Sequence, residues 1–70
     1  MPIAFAPCGK EMEIKRVKAE DNVKRHLREM GISEGGKITI ISSDGGSVIV
    51  IVKEGRLCLD RTLAGKILVA

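Results

Sequence analysis

Five consecutive β-branched residues form the most constraining feature of this 70-residue chain, because residues 48–52 read Val-Ile-Val-Ile-Val. Asp44-Gly45-Gly46 precedes this run and Glu54-Gly55 follows it. A continuous β-branched run between turn residues predicts a strand that is buried on both faces. We expect that strand in the middle of a small, tightly curved sheet. A chain of this size buries only about 60% of its unfolded surface, which favours function by contact with a partner.

One helix is predicted ahead of that strand. Three apolar residues recur at helical spacing, namely Val23, Leu27 and Met30. They predict an amphipathic helix over about residues 22–30. Asp21 is expected to cap its first turn through the carboxylate. Gly31 stands where the end of a helix needs a left-handed residue, and Ile32 follows where a Schellman closure brings an apolar side chain onto Leu27.

Alternation and turn residues predict five short strands over residues 12–19, 37–43, 48–52, 56–59 and 66–69. The first strand changes phase, which indicates a bulge near Lys15 and Arg16. Asp44-Gly45 suits a type I′ hairpin, because both central positions need a positive φ. Asp60 is expected to cap a single helical turn before the last strand. Short strands joined by tight turns predict a mainly β fold, a small SH3-like barrel, as one domain over residues 1–70.

Composition limits the modes of recognition. Phe5 is the only aromatic residue and is expected to pack onto the barrel with Ile3. Single-stranded nucleic acids are usually held by stacking on aromatic rings, and proline-rich peptides by aromatic-lined grooves, so neither binding mode is favoured here. The net charge of +3 is concentrated in residues 10–28, which hold seven basic and four acidic residues. A basic segment suits an acidic partner, a phosphate-rich surface or an anionic membrane face, although a solubilising surface is the competing interpretation.

No catalytic constellation is predicted, so an enzyme is not expected. His26 is the only histidine, and no nucleophile, base and acid stand in a recognisable arrangement. Cys8 and Cys58 belong to no ligand-spacing motif, and Cys58 is expected to pack as a small hydrophobe in a strand. We therefore expect no metal, no cofactor and a cytoplasmic location with reduced thiols.

Residues 27–40 match the pattern L-x-x-[LM]-G-[IL]-x-x-G-x-x-[IV]-x-[IV] at every constrained position. The ending at Ala64, Ile67 and Val69 follows the same family's usual spacing. On these motifs the chain resembles the ferrous iron transport protein A (FeoA) family. Glu34 departs from the family, since many members have proline there, and we expect this change to affect only the rigidity of the turn.

The resemblance implies an SH3-like barrel in the cytosol without established catalytic residues and without iron of its own. It also implies a partner, the FeoB-type ferrous iron transporter, which is a membrane protein with a cytosolic nucleotide-binding G domain. Binding to this transporter would hold the chain at the inner face of the plasma membrane. The candidate docking residues are Lys24, Arg25 and Arg28 on one helix face, with Ile41 as an apolar anchor opposite Ile38 and Ile40. The alternative is a small barrel that binds RNA or the ribosome through its basic segment.

Overall fold

The computed structural model describes residues 1–53 and 55–70, and it folds around a five-stranded antiparallel sheet. The strands are β1 (Glu11–Val17), β2 (Lys37–Asp44), β3 (Ser47–Val52), β4 (Gly55–Leu59) and β5 (Ile67–Val69), in the order β4-β3-β2-β1-β5. A 3-10 turn (Ile3–Phe5) precedes β1, helix α1 (Asp21–Glu29) follows it, and helix α2 (Arg61–Ala64) precedes β5. The prediction of a mainly β, SH3-like fold with a short helix after the first strand is confirmed. The sheet does not close by strand pairing, and β4 and β5 lie at its two ends.

The β-branched run forms β3, between β2 and β4, but the prediction that both of its faces are buried is wrong. Val48, Val50 and Val52 are buried, whereas Ile49 is half-buried and Ile51 is 46% exposed. Successive residues of a strand point to opposite faces, so one face of β3 meets the core and the other meets solvent. All five residues of the run are apolar, so hydrophobicity alone does not distinguish the buried face of the strand from the exposed face.

The core is wholly aliphatic, and Phe5 does not belong to it. Ile3 is fully buried and Ala6 nearly so, but Phe5 is 79% exposed. The amide of Ala6 donates to the carbonyl oxygen of Ile3 at 3.1 Å, which closes a 3-10 turn. Side chains three residues apart in such a turn lie on the same side, so Ile3 and Ala6 face inward and Phe5 faces solvent. The expected packing of Phe5 is thus corrected, and that of Ile3 is confirmed.

Helix α1 ends as its sequence predicts but begins differently. Gly31 has φ 94°, and its amide donates to the carbonyl oxygen of Arg28 at 3.0 Å. The amide of Ile32 donates to the carbonyl oxygen of Leu27 at 2.8 Å, which completes the Schellman closure. The expected Asp21 cap is wrong, because the helix already includes Asp21 and its N-cap residue forms no side-chain hydrogen bond. The Asp21 charge lies in the first turn, where it still favours the helix dipole.

Two bulges interrupt the strand pairing. The predicted bulge in β1 is present, because the pairing with β5 shifts between Ile14 and Arg16. A second bulge, which the sequence analysis did not anticipate, lies in β2, where the pairing with β3 shifts between Ile40 and Ser42. Ile41 is therefore the extra residue of β2.

The hairpin between β2 and β3 turns one residue later than predicted. Asp44 pairs with Ser47, so the two central positions are Gly45 and Gly46, with φ 61° and 92°. Glycine adopts positive φ without the steric cost that an aspartate would meet, which explains the shift from Asp44-Gly45. The predicted turn at Glu54-Gly55 lies partly outside the described residues.

The cap of α2 agrees with the sequence. The Oδ1 atom of Asp60 accepts a hydrogen bond from the backbone amide of Leu63 at 2.8 Å. The helix occupies a single turn and buries Ala64. Asp60 thus fixes the short turn that returns the chain from β4 to β5.

Candidate docking surface

The basic helix face, which comprises Lys24, Arg25 and Arg28, lies on the solvent side of α1. Leu27 is fully buried and anchors the opposite side of the helix, and its position is fixed by the Schellman closure. Arg25 and Arg28 are exposed, whereas Lys24 is half-buried. The helical spacing therefore separates one core-facing stripe from a cationic surface, as predicted.

Glu34 ties this helix to the sheet. Its Oε2 atom accepts a hydrogen bond from the backbone amide of Val17 at 3.0 Å and lies 3.8 Å from Lys24 Nζ. The hydrogen bond from Val17 and then the charge of Lys24 hold the pKa of Glu34 below its usual value, although burial opposes them. The expectation that Glu34 affects only turn rigidity is thus wrong, since this carboxylate joins β1, α1 and the α1–β2 loop.

The ion pair between Lys24 and Glu34 distinguishes Lys24 from the two arginines of the basic helix face. Lys24 already has an acidic neighbour, so part of its charge is compensated within the protein. Within the described part of the chain, the side chain of Arg25 makes only a long 3.5 Å hydrogen bond to Asn22 on the exposed surface. Arg28 forms no ion pair with any residue in the ranges 1–53 and 55–70. Arg25 and Arg28 therefore offer the charge that is most available to a partner.

Ile41 is exposed, as predicted for an apolar anchor, with 37% of its surface accessible. Its exposure follows from the β2 bulge, which leaves it without a paired position on β3. Ile51 is more exposed, at 46%, and lies opposite Thr39 in the β2–β3 ladder. Ile51 was not among the predicted docking residues, because the whole run was expected to be buried. The available signal was its parity, which is opposite to that of Val50.

Ile51, unlike Ile41, lines an open groove of about 550 Å³. This β2–β3 groove is lined by residues of β1, β2, β3 and the α1–β2 loop, namely Glu11, Gly31, Ser33, Gly36, Lys37, Ile38, Thr39, Ile51, Val52 and Lys53. Ser33 also lines a smaller pocket that contains Lys24 and Arg28. The structure thus brings part of the basic helix face next to a groove in which Ile51 is exposed, and it places Ile41 outside both.

The cysteines and the histidine do not come together. Cys8 and Cys58 are free and exposed, so the expected burial of Cys58 is wrong. Cys58 lies opposite Ile49 on the outward side of β4, because the inward positions are taken by Leu57 and Leu59. Among the residues that the structure describes, no three side chains of His, Cys, Asp or Glu gather as metal ligands. In the same residues, no helix has the length and apolar character needed to span a membrane.

Comparison with known proteins agrees with this architecture. A candidate Fe(2+) transport protein A of Methanocaldococcus jannaschii is 37% identical over 68 residues, which cover 97% of this chain and 83% of that protein. The crystal structure of an iron uptake regulatory protein (FeoA) superposes with a TM-score of 0.87 at 23% identity, covering 99% of this chain and 93% of the other. The solution structure of the FeoA protein from Chlorobium tepidum gives a TM-score of 0.80 at 26% identity, covering 99% and 68%. The sequence model of the family described as "FeoA domain" matches residues 1–70. The chain therefore belongs to the FeoA family.

Proposed function

We propose that this protein is a cytoplasmic accessory of ferrous iron uptake that binds the cytosolic part of a FeoB-type transporter and modulates it without chemistry of its own. Membership of the FeoA family supports the link to Fe(2+) transport. The transporter as partner follows from the family resemblance of the sequence. Such a partner would hold the protein at the inner face of the plasma membrane.

The observation that carries this proposal is the exposed basic helix face beside a groove that exposes the apolar side chain of Ile51. Stable interfaces combine an apolar centre with a polar or charged rim. Here Arg25 and Arg28 supply exposed charge on α1, and Ile51 supplies exposed apolar surface on β3. Ile41 remains the anchor proposed from the sequence, on the neighbouring part of the sheet.

The test is association with the purified cytosolic domain of the transporter, measured with and without guanine nucleotide, and with the full-length transporter in vesicles. The double variant Arg25→Glu, Arg28→Glu should slow association about tenfold or more at low salt and flatten its salt dependence, because rim charges mainly govern the encounter rate. Lys10→Glu, Arg61→Glu is the matched control, since it makes the same change of charge at exposed residues that line neither the groove nor the pocket beside α1.

Absence of binding in every nucleotide state and to the full-length transporter would refute the accessory role. RNA binding is the competing outcome, and it would show a steep fall of affinity with salt. None of the described lining residues of the β2–β3 groove is aromatic, which favours a protein partner, because single-stranded nucleic acid is usually held by aromatic stacking. The one aromatic residue, Phe5, lines a separate surface with Pro2 and Arg61.

A further inference from the structure

We propose that the β2–β3 groove binds a short acidic peptide segment that inserts one aliphatic side chain. The groove adjoins the basic helix face, so this inference rests on the proposed function and specifies the chemistry of the segment that the partner would present.

The floor of the groove offers an aliphatic contact. Ile51 is 46% exposed, while its neighbours Ile38 and Val52 are 1% and 6% exposed and form part of the core. A large aliphatic side chain held on rigid strands over the core is a preformed apolar site, since the strand pairing of Ile51 with Thr39 and Arg56 fixes its position. Contact with an aliphatic side chain of a partner would remove this surface from water.

The charge around the groove selects an acidic segment. Lys37, at the start of β2, and Lys53, directly after β3, are both exposed and line the groove. The only acidic residue among the described lining residues is Glu11. Across Ser33, the adjoining pocket adds Lys24 and Arg28 against Glu34. The two sites together thus contain four basic and two acidic residues, which is complementary to a partner of negative charge.

The size and lining of the groove favour a peptide over a nucleotide. A volume of about 550 Å³ lies within the usual range of roughly 300–1,000 Å³ for small binding sites. None of its described lining residues is aromatic, so a base would find no ring on which to stack. An aliphatic side chain flanked by carboxylates matches both the floor and the rim.

A direct test is titration of the ¹⁵N-labelled protein with the peptide acetyl-Glu-Asp-Leu-Glu-Asp-amide, followed by NMR. We expect chemical-shift changes at the amides of Ser33, Thr39 and Ile51, and no comparable changes at Phe5. A peptide with serine in place of leucine should bind at least tenfold more weakly. A peptide with lysine in place of each acidic residue should produce no saturable shifts, because it would meet Lys37 and Lys53.

Variants of the protein separate the groove from the rest of the surface. Ile51→Ser and the double variant Lys37→Glu, Lys53→Glu should each raise the dissociation constant of the peptide at least tenfold. Phe5→Ser is the matched control, because it removes a large exposed apolar side chain outside the groove and should leave the affinity unchanged. The dispersion of the NMR spectrum shows in each case whether the fold is retained.

Several results would overturn the proposal. These are shifts centred on the surface around Phe5, equal effects of Ile51→Ser and Phe5→Ser, equal binding of the lysine peptide, or displacement of the acidic peptide by oligouridylate. The transporter experiment distinguishes this inference from the proposed function. If the peptide does not bind the groove while the transporter binds and Arg25→Glu, Arg28→Glu impairs that binding, the groove proposal fails and the accessory role stands. If the peptide binds as expected but the transporter does not, the groove proposal stands and the accessory role fails.

Discussion

Two glycines follow helices in this protein, and the structure predicts different outcomes when each is replaced by alanine. Gly31 follows α1 with φ 94°, in the left-handed region. Gly65 follows α2 with φ −64° and ψ −13°, in the ordinary right-handed helical region. Gly31→Ala should therefore destabilise the fold, and Gly65→Ala should be nearly neutral.

The expected magnitudes follow from the backbone at each position. A left-handed conformation costs an L-residue about 1–2 kcal/mol relative to glycine. For a domain of this size, each 1 kcal/mol lowers the melting temperature by about 4–8 °C, so Gly31→Ala should lower it by about 4–16 °C. At Gly65, a new Cβ would lie 3.3 Å from the carbonyl oxygen of Arg61, which is tight. Alanine restricts the unfolded chain, which would raise the free energy of unfolding by roughly 0.4–1 kcal/mol, and the tight contact offsets this increase. The net change in the free energy of unfolding should therefore be within about 0.5 kcal/mol.

Urea unfolding followed by far-ultraviolet circular dichroism is the suitable assay, because the chain contains no Trp or Tyr for fluorescence. The two variants should show the same dependence of stability on urea and differ in their midpoints. Equal losses of stability, or a neutral Gly31→Ala, would refute the argument, because they would mean that the left-handed closure of α1 does not contribute to the fold.

Three further predictions concern the core, the α2 cap and the Glu34 contact. Val50→Asp should unfold the domain, because it buries an unpaired charge in a fold whose total stability is roughly 4–10 kcal/mol. Ile51→Asp, on the exposed face of the same strand, is the control and should retain a cooperative thermal transition. Asp60→Ala should lower the free energy of unfolding by about 0.5–2 kcal/mol through loss of the bond to the Leu63 amide, measured by chemical denaturation, and an unchanged midpoint would contradict the cap. The folded pKa of Glu34 is lowered, so its contribution is fully present above its unfolded pKa and is lost as the pH falls through the folded value. Stability measured from pH 6 downwards should therefore fall less steeply in Glu34→Gln than in the wild type, and parallel profiles would contradict this assignment.

Much of the fold could be predicted from the sequence, because it depends on interactions between residues that are close together in the chain. The helix end at Gly31 was predictable because a glycine, which adopts positive φ freely, followed by an apolar residue is typical of a Schellman closure, and Gly31 does have a positive φ. The bulge in β1 was predictable because the apolar residues change parity within one strand. The Asp60 cap and the five short strands likewise depend on interactions between residues close in sequence or on a period of two. For the candidate docking surface, the exposure of Arg25 and Arg28 followed from helical spacing alone.

Only the tertiary structure decided which apolar residues meet solvent and which charges are compensated. Ile51 and Phe5 are as apolar as their buried neighbours, and their exposure depends on whether a second layer of protein covers that face. Lys24 is compensated by Glu34, ten residues away, because the α1–β2 loop returns the carboxylate to β1. The sequence by itself thus determined periodicity, turns and the cationic helix face. The long-range packing of the sheet, the loop and α1 decided that this face adjoins a groove containing Ile51, because that arrangement depends on contacts that no local pattern encodes.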